Sequence, residues 1–204
     1  MLRRVVSKWA TRRSRLWRVM VAAAMVLGFA LALRYDDLSR ITVADVKFLP
    51  DGNATVFISS SKTDQLRHGT WRPLAASDNA SSPVALLRRL FRETEWTSGY
   101  VLRAIARRSA TNARDMFKSV LMPYSSFLRL LREALTATGI DASEVASFGA
   151  HSLRRGNASH LATRTRVNDQ LRREFGRWRS ADTADAYVEV QHKRLMGVAR
   201  SLRL

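Results

Sequence analysis

Residues 19–33 form a run of fifteen apolar residues that favours a position away from water. The run follows a segment with seven basic residues and no acidic residue, and it stops at Arg34. A membrane-spanning helix needs about 20 apolar residues, so this shorter, Ala-rich run favours a buried helix. A signal anchor or an Arg-rich transit peptide is the alternative. On the favoured interpretation, the fold encloses one apolar helix that ends at an arginine.

The remaining sequence alternates helical patterns with one strand-rich region. The apolar helix is expected at about 17–33, with a short helical turn from about Asp37. A small antiparallel sheet with a long polar hairpin is expected from strands at 43–48, 55–58 and 71–74. Further helices are predicted at 83–96, at 127–135 (with Ser125 or Ser126 as its cap and Gly139 at its end), and at about 151–163, 167–176 and 182–200. Residues 97–123 give no clear pattern. The predicted fold class is mixed α+β, mostly α-helical with a small antiparallel β-sheet.

The charge balance predicts a polyanionic partner. The chain has 35 Lys and Arg against 17 Asp and Glu, a formal net charge of +18. Nucleic acid is the commonest partner of such a chain. A membrane surface and an acidic protein are alternatives. The stretch from His151 to Arg179 contains eight arginines and only two acidic residues, which suggests contacts to a phosphate backbone.

Composition also excludes several chemistries. The chain has no cysteine, so disulfides, thiolate metal sites and cysteine nucleophiles are excluded. Its four histidines form no HExxH pair and have no accompanying carboxylate cluster. Phosphate-binding P-loops, GxGxxG and GxSxG motifs do not occur in the sequence. We therefore predict no metal and no cofactor.

Six residues can supply the chemistry of metal-free phosphoryl transfer. Such a reaction needs cations for the phosphate oxygens, a nucleophile, and an acid for the leaving oxygen. Helical spacing puts the side chains of His151 and Arg154 on one face, where both can grip a phosphate. The other candidates are an arginine, a lysine, an indole donor and a phenol nucleophile: Arg34, Lys62, Trp178 and Tyr187.

Each candidate alone also has an ordinary structural explanation. His151 can be a partly buried histidine on a surface helix, and Trp178 can be a core residue. Tyr187 can lie on the apolar face of a terminal helix. Arg34 can cap a helix or pair with Asp37. Lys62 can be an exposed hairpin lysine, so it is the order and spacing of all six that favour a site.

That order resembles the catalytic domain of the tyrosine recombinases, the phage-integrase family. Arg34 follows an apolar helix and precedes Asp37 and Leu38, as the first arginine does in that family. Lys62 lies in a hairpin, the HxxR box is His151-Ser152-Leu153-Arg154, and Trp178 precedes Tyr187 by nine residues. The resemblance covers about residues 17–190. One departure is that Gly176 lies one place earlier than in the family, with Arg177 between it and Trp178.

The resemblance implies a site-specific recombinase or integrase that cuts and rejoins double-stranded DNA through a 3′-phosphotyrosyl intermediate. Tyr187 would be the nucleophile, Arg34 and Arg154 would hold the phosphate, and Lys62 would protonate the leaving oxygen. His151 would transfer protons, and Trp178 would donate a hydrogen bond. Family members act as tetramers on paired DNA sites, so a homo-tetramer is expected and membrane association is not.

The expected domain organisation is a basic amino-terminal arm at 1–16 and a catalytic domain at 17–204. The amino-terminal domain that completes the family's clamp around DNA is expected to be absent. The compartment follows the DNA, which is the nucleus in a eukaryote and the cytoplasm or nucleoid in a bacterium.

Three alternatives remain open at this stage. A type IB topoisomerase uses a similar set of residues but relaxes supercoils without paired sites. A mobile-element remnant would bind DNA without cutting it. A membrane-anchored basic protein would use the apolar run 19–33 as its anchor.

Overall fold

The computed structural model describes residues 1–59, 68–107, 116–164 and 168–178 of the 204-residue chain. Within these ranges the helices are α1 (Leu2–Trp9), α2 (Leu16–Ala30), α3 (Tyr35–Ser39), α4 (Pro83–Thr94), α5 (Tyr124–Thr136), α6 (Ala142–Ser147), α7 (His151–Arg164) and α8 (Asp169–Gly176). The strands are β1 (Val46–Phe48), β2 (Ala54–Ile58), β3 (Thr70–Leu74), β4 (Arg103–Arg107) and β5 (Met116–Leu121). A 3₁₀ turn at Val43–Asp45 precedes β1.

The apolar run forms the central helix of the core, as predicted. Helix α2 is buried along most of its length from Trp17 to Gly28. It contacts α1, α3, α4, α5 and α7. A helix that is apolar on all sides is stable only when neighbours cover every side, which explains why the other helices surround it. None of the described helices has the length and apolar character that crossing a bilayer requires.

The amino-terminal segment contains a helix that packs on the core. Residues 2–9 form helix α1, whose apolar side is set by Leu2, Val5, Val6 and Trp9 at helical spacing. The rings of Trp9 and Trp17 meet edge to face, with centroids 5.2 Å apart. Residues 2–9 of the predicted basic arm therefore form a helix whose apolar stripe is buried while its basic side chains face water.

The predicted hairpin region is a three-stranded antiparallel sheet in the order β1-β2-β3. Its register pairs Val46 with Val56 and Val56 with Arg72. Pro73 lies on β3, the edge strand, where a missing N–H is tolerated. Residues 43–45, which we expected to be part of the first strand, form the 3₁₀ turn instead. Thr42 and Asp45 make a capping box there that favours a turn.

A second small sheet lies in the region that gave no pattern. Strands β4 and β5 pair antiparallel, with irregularities in register on both sides of Ile105. The described ranges therefore contain two small sheets where one was predicted. Bulges shift side chains between the two faces of a strand, so a simple alternation of apolar and polar residues is lost from the sequence.

Three smaller differences concern helices. Pro123, and not Ser125 or Ser126, precedes the first residue of α5, and no side-chain cap is present there. Gly139 takes a positive φ of 83° three residues after α5 ends. Helix α6 was not predicted; Asp141 caps it by accepting from the Ser143 N–H. The helix predicted at about 182–200 lies outside the described residues.

Candidate active site

The carboxyl end of α2 sets the position of Arg34. The Leu33 N–H donates to the Gly28 carbonyl at 2.9 Å, and the Ala32 N–H donates to the Phe29 carbonyl at 3.2 Å. Ala32 has a φ of 51°. These two bonds and the left-handed residue form a Schellman motif, which ends a helix in a fixed geometry. Arg34 follows as the residue before α3, and its side chain is partly exposed.

Helix α7 carries the HxxR box and packs closely against α2. A Cβ on Gly28 would lie 3.0 Å from Leu153 Cδ1, so glycine allows the two helices to approach at this point. Leu153 is buried in the core, whereas His151 is exposed at the first turn of α7. The packing fixes the rotation of α7 and directs Arg154 toward the end of α2.

Arg154 joins the ends of three helices. Its side chain is fully buried, and its terminal nitrogens donate to the carbonyls of Ala32 and Gly176, the latter at 2.6 Å. The guanidinium carbon lies 4.8 Å from the centroid of the Trp178 ring, a cation–π distance. Arg154 thus connects three parts of the site: the end of α2 next to Arg34, helix α7, and Trp178.

Gly176 and Arg177 form the turn that presents Trp178. Arg177 adopts the left-handed conformation with a φ of 56° and ends α8. A Cβ on Gly176 would lie only 1.8 Å from Trp178 Cζ3, so this position admits no larger residue without displacing the indole. The indole is 6% exposed. The shifted glycine that distinguishes this sequence from the family pattern is therefore required by the packing of Trp178.

A buried ion pair holds this turn to α3. Arg177 Nη2 donates to Asp37 Oδ2 at 2.9 Å. The sequence offered Arg34 as a partner for Asp37, but the carboxylate pairs with Arg177, 140 positions away. Asp37 therefore connects the segment that carries Arg34 to the segment that carries Trp178.

His151 is the titratable group at the surface of the site. Partial burial lowers the pKa of His151, and the positive charges of Arg154, Arg34 and Arg155 lower it further. The imidazole is therefore neutral near pH 7, so it can accept a proton or a hydrogen bond.

A cleft of about 490 Å³ opens beside His151. It is lined by Tyr35, Asp36, Ser39, Arg40, Leu121, Tyr124, Ala150 and His151. Burial, helped by Asp36 and Tyr124, raises the pKa of Tyr35 to about 12, and its hydroxyl donates to the Met122 carbonyl. Tyr35 is thus held as a neutral phenol and is poorly suited to act as a nucleophile.

The structure brings together four of the six predicted site residues: Arg34, His151, Arg154 and Trp178. Lys62 and Tyr187 lie outside the described residues. In the described ranges, no group of three or more His, Asp or Glu residues is arranged to hold a metal ion.

Arg72 and the Asp37–Arg177 ion pair were not predicted as part of this region. Arg72 had a detectable signal, since alternation along β3 puts this charged residue on the same side as buried Leu74. The Asp37–Arg177 pair had none, because the two residues meet only through the tertiary fold.

Comparison with known proteins identifies the fold. The chain is 32% identical over 142 residues to the integrase/recombinase XerD homolog of Selenomonas ruminantium, a match that covers 69% of this chain and 38% of the relative. The XerA recombinase superposes with a TM-score of 0.67 at 14% identity, and the match covers 100% of this chain and 63% of the XerA chain. By fold, this is a tyrosine recombinase catalytic domain. The predicted fold class is thereby confirmed.

A second solved structure agrees with the tyrosine recombinase assignment. XerH site-specific recombinase, bound to its difH substrate in a pre-cleavage complex, superposes with a TM-score of 0.64 at 17% identity. That match covers 97% of this chain and 51% of XerH, so the chain spans about half the length of that recombinase. No protein-family model matches the chain.

Proposed function

We propose that this chain acts on double-stranded DNA as the catalytic domain of a site-specific recombinase or integrase. The observation that carries the proposal is the convergence of Arg34, His151, Arg154 and Trp178 where α2, α7 and α8 meet. Four residues of the types that metal-free phosphoryl transfer needs come from segments far apart in the chain. A purely structural explanation would need a separate reason for each of them.

In this proposal, arginines stabilise the negative charge that develops on the phosphate oxygens. Arg34 is partly exposed and can contact an oxygen directly. Arg154 has five N–H donors, and the carbonyls of Ala32 and Gly176 take two of them. Because Arg154 is fully buried, a direct phosphate contact requires the Gly176–Trp178 turn to shift when DNA binds. Trp178 then supplies an indole N–H to the same phosphate.

The proposed strand cleavage exchanges one phosphate ester for another. The phenolic oxygen of Tyr187 attacks phosphorus, a tyrosyl–phosphorus bond forms, and the bond to the 5′ oxygen breaks. Neutral His151 accepts the phenolic proton, and the ammonium of Lys62 donates a proton to the leaving 5′ oxygen. A 5′-hydroxyl from another strand reverses these steps. The phosphotyrosyl ester conserves the bond energy, so the exchange needs no nucleotide cofactor.

The charge and the relatives support DNA as the partner. A net charge of +18 favours contacts to the phosphate backbone, which give affinity without base specificity. XerH was solved with its difH substrate. Strand exchange joins two duplexes, so we further propose that four copies assemble on paired sites. Native mass spectrometry of the protein with two synapsed duplexes tests this, and a complex that never exceeds one copy per duplex contradicts it.

A trapped covalent intermediate tests the central proposal. The substrate is a library of duplexes with a randomised core and a nick that lets the cleaved end diffuse away, which prevents religation. We expect wild-type protein to accumulate a protein–DNA adduct that resists denaturation, with the DNA attached to Tyr187 by mass spectrometry. Tyr187→Phe should form no adduct. Tyr100→Phe is the matched control, because Tyr100 is not among the residues that line the cleft, and it should react like wild type.

The other outcomes assign the other functions. DNA binding without an adduct from any sequence in the library identifies a binding remnant and contradicts the proposal. An adduct attached to Tyr124 shows that the nucleophile was assigned wrongly. Relaxation of a supercoiled plasmid without paired sites favours a type IB topoisomerase.

A further inference from the structure

Arg72 occupies a position in the small sheet where an apolar residue is expected. The register places it opposite Val56, which is fully buried, and two residues before Leu74, which is buried as well. Residues paired in an antiparallel sheet point to the same face, so Arg72 points toward the protein interior. A charged residue is rarely found there unless its polar atoms are bonded.

The partner of Arg72 is the turn that presents Trp178. Its Nη2 donates to the Phe175 carbonyl, and its guanidinium carbon lies 4.8 Å from the centroid of the Phe175 ring. Burial lowers the pKa of Arg72, and the positive charge of Arg177 lowers it further.

Three arginines from three elements therefore hold residues 175–178. Arg72 on β3 holds Phe175, Arg154 on α7 holds the Gly176 carbonyl, and Arg177 within the turn binds Asp37 on α3. Arg154 and Asp37 connect the turn to the segment around Arg34. Arg72 connects it to the sheet.

This connection joins two segments that the proposed reaction must coordinate. Strands β2 and β3 flank residues 59–69, where Lys62 lies in the sequence. The turn precedes Tyr187, nine residues after Trp178. Lys62, the proposed acid, thus lies in the sequence between β2 and β3, and Tyr187, the proposed nucleophile, follows the turn at Trp178. Arg72 joins β3 to that turn.

We propose that Arg72 is a positioning residue, which fixes the turn that carries Trp178 relative to the hairpin that carries Lys62. This inference rests on the proposed strand-cleavage function. Loss of the Arg72 guanidinium should slow cleavage by DNA-bound protein. The affinity for DNA should be unchanged, because Arg72 faces the protein interior. Small misplacements of reacting groups reduce rates by about 100-fold.

The test separates binding from cleavage. Arg72→Met keeps a long apolar side chain against Phe175 but removes the donors. Arg88→Met is the matched control, since Arg88 on α4 also stacks on an aromatic ring, that of Phe48 at 4.4 Å, but is exposed. We expect the single-turnover cleavage rate at saturating nicked DNA to fall about 10- to 100-fold in the Arg72 variant. Its Kd for intact DNA should stay within about twofold of wild type, and Arg88→Met should leave the cleavage rate at saturation unchanged.

Hydrogen exchange provides a readout that does not depend on activity. The amides of Arg177 and Trp178 donate to the carbonyls of Glu174 and Arg173. In Arg72→Met these two amides should exchange faster than in wild type, while amides in the middle of α2 exchange at the wild-type rate. If Arg72→Met does not fold, Arg72→Lys, which keeps a charged donor nitrogen but cannot stack as a plane, undergoes the same measurements with smaller expected effects.

Several results would overturn the proposal. An unchanged cleavage rate with unchanged exchange shows that Arg72 does not position the turn. A weaker Kd with a normal rate at saturation makes Arg72 a DNA contact. If wild-type protein forms no covalent product at all, the proposed function fails together with this inference, whereas wild-type product with a normal rate in Arg72→Met overturns this inference alone.

Discussion

The buried ion pair between Asp37 and Arg177 provides a quantitative test of how the site is held together. Its atoms are 2.9 Å apart, and the side chains are 11% exposed for Arg177 and 5% for Asp37. Removing one member of a buried pair leaves the other charge without compensation, which costs about 3–5 kcal/mol. For a chain of this length, about 1 kcal/mol corresponds to a Tm shift of about 2–4 °C. We therefore expect Asp37→Asn to lower the Tm by about 6–20 °C.

A double-mutant cycle isolates the interaction from other effects of the substitutions. Thermal and urea unfolding are measured for Asp37→Asn, Arg177→Met and the double variant. Because the double variant buries no unpaired charge, its loss of unfolding free energy should be about 1–3 kcal/mol smaller than the sum of the losses in the two single variants. The control is Arg129→Gln on α5, whose exposed pair with Glu133 spans 3.9 Å and should contribute at most about 1 kcal/mol. A coupling below about 0.5 kcal/mol, or an Asp37→Asn loss equal to that of the control, would refute the reasoning.

Three further predictions concern the turn, the histidine and the first helix. Gly176→Ala should displace the indole of Trp178 and destabilise the fold by about 1–3 kcal/mol in urea unfolding, while Gly156→Ala, whose Cβ would meet only ordinary contacts at 3.5 Å, should be tolerated. The pKa of His151, measured by NMR, should lie below 6.5 and rise in Arg155→Ala, because one of the charges that lower it is removed. The unfolded chain binds the His151 proton at a higher pH than the folded chain does, so His151 should make the fold less stable as the pH falls below 6.5. A stability that rises below this pH in wild type but not in His151→Gln contradicts the sign of this effect. Trp9→Ala should cost about 3–5 kcal/mol, and a loss under about 0.5 kcal/mol would mean that α1 is not part of the core.

The parts of the fold that the sequence predicted depend on local patterns. The apolar run predicted a buried helix at 17–33, and α2 occupies Leu16–Ala30. The last three residues differ because Ala32 takes a left-handed conformation that ends the helix early. A glycine there would have indicated the end of the helix, but alanine gives no such signal.

The interpretation of the amino terminus as a basic arm rested on charge alone. Within that segment, Val5, Val6 and Trp9 recur at helical spacing and are buried. Lysine and arginine on the opposite face do not prevent this burial, since an amphipathic helix needs a polar side as well. Counting the apolar positions separately from the charges would have found α1.

The site shows a different limit, because its chemistry was easier to predict than its geometry. Arg154 was expected to face a phosphate, but a buried arginine needs acceptors, and these are the carbonyls of Ala32 and Gly176, 122 and 22 positions away. Neither acceptor is visible in a motif, because every residue has a carbonyl. Residue types therefore predicted that Arg34, His151, Arg154 and Trp178 lie near one another, whereas their contacts follow from the fold.

This distinction gives the inward arginines a common physical explanation. Exposed arginines in a chain of charge +18 can bind DNA with little demand on position. Half-buried Arg72 and fully buried Arg154 donate instead to backbone carbonyls at residues 175 and 176, where their planar geometry fixes direction as well as distance. A lysine at either position could supply charge without that directional constraint. In the proposed function the arginines thus serve two purposes, and substitution by lysine should separate them, preserving DNA affinity at the exposed positions and losing the geometry of the turn at Arg72 and Arg154.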